Sequence, residues 1–244
     1  MFFIEKFIEY FNELYPINED LKTMVLESVS GVSKPVKMIE IEAGPNLFST
    51  SLFTNGFDIT ATDTFSEFSR IANSNKLNKE NNVHVFNIAT IDIARYLGCD
   101  YFNIALCINS RILIINNITL LKKFLFDVKM LLKENGIFII EVANFSKYDL
   151  LSDKIVLPER KSSRICMESS VTRENEIYYL WETLINSKNN NTKVVTNRQI
   201  YPVTKETIEK IAKEVKYSSV EFYNDYKKTP YSIETDRIVC VLRK

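Results

Sequence analysis

The chain has 244 residues, 45% of them apolar and 25% charged, with a formal net charge of zero, as in a globular protein with a substantial core. Residues 1–150 carry 14 Lys+Arg against 18 Asp+Glu and residues 151–244 carry 17 against 13, an asymmetry too mild for a nucleic-acid groove. The single histidine, His84, excludes a mechanism that needs a histidine pair. Cys99, Cys107, Cys166 and Cys240 are scattered without a C-x-x-C pair, which reads as reduced cytosolic thiols and not as a metal site or a disulfide framework.

Residues 2–30 read as helix. Apolar positions recur at Phe3, Phe7, Ile8, Phe11 and Leu14, Pro16 breaks the run, and Asn18-Glu19-Asp20 restarts it through Leu21, Met24, Val25 and Val29. Glu5, Lys6 and Glu9 interrupt the apolar start, so no signal peptide is expected. No run reaches the roughly 18 apolar residues of a membrane span. A cytoplasmic protein is the expectation.

Residues 37–64 are the most informative stretch. A short strand over 38–41 turns through Ala43-Gly44-Pro45-Asn46 into a helical run over 47–54. Asn55-Gly56 then leads to a second strand over 57–62, closed by Asp63. A strand, a tight turn at a helix start and an acid ending the next strand make a nucleoside-binding half-site of an open α/β sheet. The turn's N–H groups face the ligand and the acid accepts from ribose hydroxyls. Glycine is scarce, at 5 residues where average usage gives roughly 17, so those that remain should mark demanding backbone positions.

A helix follows Thr64-Phe65-Ser66-Glu67 to about Lys76, then a polar turn over 79–82. A third strand spans 83–87, a short helix 92–97 and a nearly continuous apolar fourth strand 102–108. An amphipathic helix over 120–132 closes at Gly136, read as its C′ residue, and a fifth strand runs 137–142. Strands alternating with helices imply a parallel sheet with right-handed crossovers. Three strands without helices follow, at 163–167, 177–185 and 193–201, separated by turns at 173–175 and 187–191: a three-stranded antiparallel insertion. A helix over 204–215, with Thr204 as N-cap and Thr207 at N3, precedes two strands, 219–223 and 237–242, that can pair antiparallel.

This order resembles class I S-adenosylmethionine-dependent methyltransferases of the small-molecule type, over roughly 35–150 and 202–243. The resemblance implies an α/β, Rossmann-like seven-stranded sheet of order 3-2-1-4-5-7-6, strand seven antiparallel, with helices on both faces and a small antiparallel β insertion. It divides the chain into N-terminal helices and a cofactor-binding core (1–154), an insertion or cap (155–201) and a C-terminal helix and strand pair completing the core (202–244). S-adenosyl-L-methionine is the implied cofactor. A small molecule accepting methyl on N, O or S is the implied partner, without nucleic acid, membrane or metal, and a homodimer stays open.

The family's E/D-x-G-x-G-x-G motif reads here Glu40-Ile41-Glu42-Ala43-Gly44-Pro45-Asn46. The leading acid and middle glycine are kept, and Asn46 replaces the last glycine. Glu42 replaces the first, where a long anionic side chain would crowd the cofactor's methionine end, pairing with its ammonium, repelling its carboxylate or swinging out to solvent. By the same resemblance Asp63 accepts from both ribose hydroxyls, and Thr64 and Phe65 flank the adenine. The acid that relatives place after strand three is absent near Ala89, beside Ile88 and Thr90, leaving backbone contacts. Cys107, Ile108 and Asn109 line the methionine moiety, although Cys107 also suits a core position. Tyr15 stands where relatives place an aromatic over the cofactor. No catalytic base is identified. His84 reads as structural and Lys227-Lys228 as a solvated loop. Trp181 and Tyr178-Tyr179 line a substrate pocket or pack a sheet. Two other readings remain: a non-catalytic protein that keeps the fold with altered or lost cofactor binding, and a nucleotide-dependent oxidoreductase, against which stands the lack of G-x-G-x-x-G.

Overall fold

The computed structural model describes residues 4–75, 78, 80, 83–186 and 190–244. The start of the first expected helix, the end at Lys76 of the helix expected after Thr64, most of the polar turn over 79–82 and residues 187–189 of the later turn lie outside that set. The N-terminal helical stretch is two helices, α1 (Ile4–Leu14) and α2 (Glu19–Ser28), divided at Pro16. Asn18 caps α2, its Oδ1 accepting from the Leu21 N–H at 3.0 Å.

The core alternates β1 (Val36–Ile41), β2 (Phe57–Asp63), β3 (His84–Asn87), β4 (Phe102–Cys107) and β5 (Leu132–Ala143) with helical segments. These include α3 (Ser66–Ser74), α4 (Ile93–Tyr96) and α5 (Ile118–Leu131). Then come β6 (Lys154–Lys161), β7 (Ile165–Glu174), β8 (Ile177–Asn186), β9 (Asn191–Ile200), α6 (Lys205–Glu214), β10 (Ser219–Tyr223) and β11 (Arg237–Arg243). One sheet has seven strands in the order β10-β11-β5-β4-β1-β2-β3. Strands β1 to β5 are mutually parallel, and β11 runs antiparallel to both β5 and β10. This is the expected 3-2-1-4-5-7-6 order. The antiparallel terminal pair separates it from the dinucleotide fold's 3-2-1-4-5-6.

The helical run expected after β1 is a 3-10 helix, Phe48–Asn55, closed by Gly56. Two expectations are corrected. Gly136 is not the C′ residue of α5, whose C-cap is the extended Leu132; Gly136 lies within β5, next to the left-handed Asn135 (φ 61), and a Cβ at Gly136 would lie 2.7 Å from the Lys133 carbonyl oxygen. Glycine is required there for close approach, not for handedness. The insertion has four strands, β6-β7-β8-β9. The missed β6 carries Pro158 and an irregular register between Leu157 and Arg160, as an edge strand can, which breaks the alternation that would reveal it.

The inner face of the four-stranded sheet closes the C-terminal ends of the parallel strands. Ile155, Leu157, Val171, Leu180, Val195 and Ile200 join the main core, while Ile165, Met167, Leu184 and Val194 pack with Phe7, Phe11, Leu14 and Phe68. Strands β1 and β4 are paired neighbours, and the strand order reverses between them, the switch point where open α/β sheets bind ligands. Among the described residues, no helix is long and apolar enough to cross a membrane. Thr204 caps α6, its Oγ1 accepting from the Thr207 N–H at 3.2 Å. Thr204→Ala should lower the unfolding free energy by about 1 kcal/mol, read as an earlier urea midpoint at unchanged slope; an unmoved midpoint would refute the cap.

Candidate active site

The β1 and β2 loops meet in a buried charge cluster. Just past Ile41 the backbone turns left-handed at Glu42 (φ 55) and again at Gly44 (φ 77). Glu42 is 3% exposed. One of its carboxylate oxygens accepts from the Thr64 N–H at 3.2 Å and from the hydroxyls of Thr64 and Thr90. Asp63, 1% exposed, accepts from the N–H groups of Gly44 and Phe65, both at 2.8 Å. Arg111, which follows β4, reaches across. Its Nε donates to the Glu42 carbonyl at 3.3 Å, and its Nη2 stands 3.6 Å from Glu42 Oε2 and 3.5 Å from Asp63 Oδ2. Phe11 lies over Gly44, and the Arg111 guanidinium sits 5.5 Å above the Phe68 ring.

Burial sets the titration here. It raises the Glu42 carboxyl, and the Asp63 charge pushes it further. Burial also raises Asp63, against the pull of Arg111. Burial opposes the Arg111 charge, but Asp63 and Glu42 outweigh it and hold the guanidinium ionised. Glu40 stands apart from this cluster. Its two carboxylate oxygens accept from Phe48 N–H at 3.1 Å and Ser49 N–H at 2.9 Å, capping the 3-10 helix. Burial pushes Glu40 up to about 7 in spite of those bonds.

Two cavities adjoin the cluster. One, of about 120 Å³, lies between the sheet edge and the insertion, where Asn109, Ser110 and Arg111 face Arg160, Glu182 and Arg198. The other, of about 230 Å³, is bordered by Glu40, Ala43, Asn46, Asn109 and Tyr15. Tyr15, Asn109, Glu141, Arg160 and Arg237 border both. Tyr15 stacks on Phe11 at 4.9 Å and carries the Arg160 guanidinium 4.7 Å over its ring. Asn109 and Ser110 are left-handed (φ 59 and 57), and Glu141 Oε2 holds the Asn109 N–H at 2.6 Å.

The structure brings together most of the sequence-derived candidates, in two groups. Glu40, Ala43, Asn109 and Tyr15 border the second cavity; Glu42, Asp63, Thr64 and Thr90 form the buried cluster and line neither cavity. Phe65 meets Phe68 edge-on at 5.5 Å with Arg198 5.2 Å over its ring, and Ala89 precedes the 3-10 turn Thr90–Asp92. Glu42 does not swing out to solvent: its carboxylate points inward to Thr64 and Thr90. Cys107 is fully buried in the main core and borders neither of these cavities, and burial pushes its thiol up. Leu180 and Glu182 of β8 face the first cavity, so by the strand's alternation Tyr179 and Trp181 face away; Trp181 instead donates to Thr172 Oγ1 at 2.9 Å. Tyr178 shares the inner face but donates to the Leu150 carbonyl. His84 is exposed on β3. Sequence reasoning missed Arg111, Glu141, Arg160, Glu182, Arg198 and Arg237. Only Arg111 carried a local signal, a charge two residues past Asn109 at the end of an apolar strand.

Two outcomes follow from this packing. A Cβ at Gly44 would stand 2.6 Å from Phe11 Cζ at a left-handed φ, so Gly44→Ala should cost at least the roughly 1–2 kcal/mol of the conformation itself, visible in thermal melts; an unchanged melting temperature would contradict it. Between 4.5 and about 7 the folded chain keeps a proton on Glu40 that the unfolded chain releases. This group's contribution to stability is therefore largest below that window and is lost as pH rises through it. In urea titrations at about pH 5 and about pH 7, the stability difference between wild type and Glu40→Gln should shift toward the variant at the higher pH; a pH-independent difference would contradict it.

No family model matches the sequence, and no curated protein matches it at the sequence level. Solved structures do match its fold. An S-adenosylmethionine-dependent methyltransferase from Clostridium acetobutylicum aligns at TM-score 0.74 with 14% identity, covering 98% of both chains. The CcbJ methyltransferase from Streptomyces caelestis aligns at 0.75 with 9% identity over 97% of this chain and 95% of its own. CalS10, an amino pentose methyltransferase from Micromonospora echinaspora with S-adenosylmethionine bound, aligns at 0.69 with 9% identity over 100% and 98%. An S-adenosylmethionine molecule would fit the acid Asp63 at the end of β2, the glycine turn at Gly44 and the second cavity, while Glu42 and Arg111 already engage the groups around Asp63. The chain has the fold of the class I S-adenosylmethionine-dependent methyltransferases.

Proposed function

We propose that this chain is an S-adenosylmethionine-dependent methyltransferase acting on an N, O or S atom of a small molecule. The observation that carries the reading is the Asp63 carboxylate at the end of β2, beside the Gly44 N–H, at the switch point of this sheet and next to a capped cavity. Bound there, the cofactor would supply an electrophilic sulfonium methyl. Asp63 would accept from its ribose hydroxyls, Gly44 would let the backbone approach, and Ala43, Asn109 and Tyr15 would border the methionine end. The acceptor would occupy the cavity beneath residues 155–201, which act as the cap. Positioning and exclusion of water are the main requirements of such a transfer, and the aromatic and arginine side chains around Tyr15 and Arg160 serve both.

A second reading, a non-catalytic methyltransferase-fold protein, is favoured by one observation: Glu42 and Arg111 occupy the nucleoside side with their charges already paired. Calorimetry with S-adenosylhomocysteine separates the two. Binding by wild type that weakens about 10- to 100-fold in Asp63→Ala, the loss of charge-assisted hydrogen bonds, supports the enzyme. A folded wild type that binds nothing retires the enzyme and leaves the second reading.

A further inference from the structure

We propose that Glu42 and Arg111 together form an internal plug of the nucleoside half of the cofactor site, so that binding requires Arg111 to leave Asp63 and Glu42 to leave Thr64 and Thr90. The inference rests on the methyltransferase reading of the site and concerns how this chain departs from that reading's usual form. Glu42 holds a left-handed φ of 55, a conformation that favours glycine and disfavours a longer side chain. From there its carboxylate reaches the residues that follow β2 and β3, Thr64 and Thr90, between which a nucleoside held by Asp63 would lie.

Arg111 completes the closure. Its Nη2 lies within ion-pair distance of both carboxylates, covering an oxygen of Asp63 that a ribose hydroxyl would use. The two side chains depend on each other. Glu42 without Arg111 would leave two buried carboxylates face to face, and Arg111 without Glu42 would lose one of its two counter-charges. The closure is imperfect: Glu42 Oε2 and Arg111 Nη2 are buried without a hydrogen-bond partner, 3.6 Å from one another. Buried polar atoms left in that state are costly, and a ligand able to satisfy them has something to gain by parting the pair.

The test is S-adenosylhomocysteine affinity by calorimetry, with thermal melts to confirm folding, on wild type, Glu42→Gly, Arg111→Leu and the double variant. Glu42→Gly suits the left-handed backbone; should Arg111→Leu fail to fold beside Asp63, Arg111→Gln takes its place. The double variant should bind at least about tenfold tighter than wild type, and adding Asp63→Ala should abolish the gain. Equal binding by wild type and double variant overturns the plug and leaves the methyltransferase reading intact. Binding by the double variant alone supports the plug and retires methyl transfer by the native chain. No binding by any folded variant overturns both.

Discussion

Two carboxylates share one guanidinium in a place that water barely reaches. An unpaired buried charge is among the most costly features a fold can contain, and Glu42, Asp63 and Arg111 carry two negative charges against one positive. The surroundings are arranged to make that tolerable. Two threonine hydroxyls and a backbone N–H serve Glu42, and two further N–H groups serve Asp63. Burial also raises both carboxyls toward their neutral forms. The loops after β1, β2, β3 and β4 each contribute a member, so the cluster fixes four chain crossings relative to one another. Any ligand reaching this end of the sheet must do so on terms set by these charges.

The four-stranded insertion has a complementary role. Its inner face supplies apolar residues that extend the main core and, between them, Arg160, Glu182 and Arg198 that face the sheet edge. A strand's period of two is what permits this division: Leu180 and Glu182 look inward while Trp181 is tied to Thr172 on the other face. The aromatic stack of Phe11 and Tyr15 with Arg160 joins α1, the core and the insertion at one point, where both cavities meet. Small shifts of α1 would therefore alter both cavities together.

Much of this was legible in the sequence where a local rule governs. Pro16 split the N-terminal helix, Thr204 and Thr207 marked a cap, and the apolar run of β4 announced a strand buried on both faces. Asp63 and Gly44 stood out because a strand-ending acid and a positive-φ turn are set by backbone geometry within a few residues. Illegible features were those where two local rules conflict or where partners are distant. β6 was hidden by Pro158 and its irregular register. Gly136 looked like a helix terminator, yet α5 ends several residues earlier, where Leu132 turns extended and β5 begins. Cys107 offered two readings, cofactor contact by resemblance and core by residue type, and its side chain is buried in the core.

By itself the sequence determined the alternation of strands and helices and the acid-and-glycine pair of the first two strand ends, because hydrophobic periodicity and backbone handedness act over short stretches of chain; the sheet order was expected only from the resemblance to class I methyltransferases. Tertiary structure alone decided where Glu42 points. Its carboxylate is claimed by Thr64, 22 positions on, by Thr90, 48 on, and by Arg111, 69 on. Pairing between buried charges is settled by desolvation and three-dimensional proximity, neither of which leaves a trace in residue spacing.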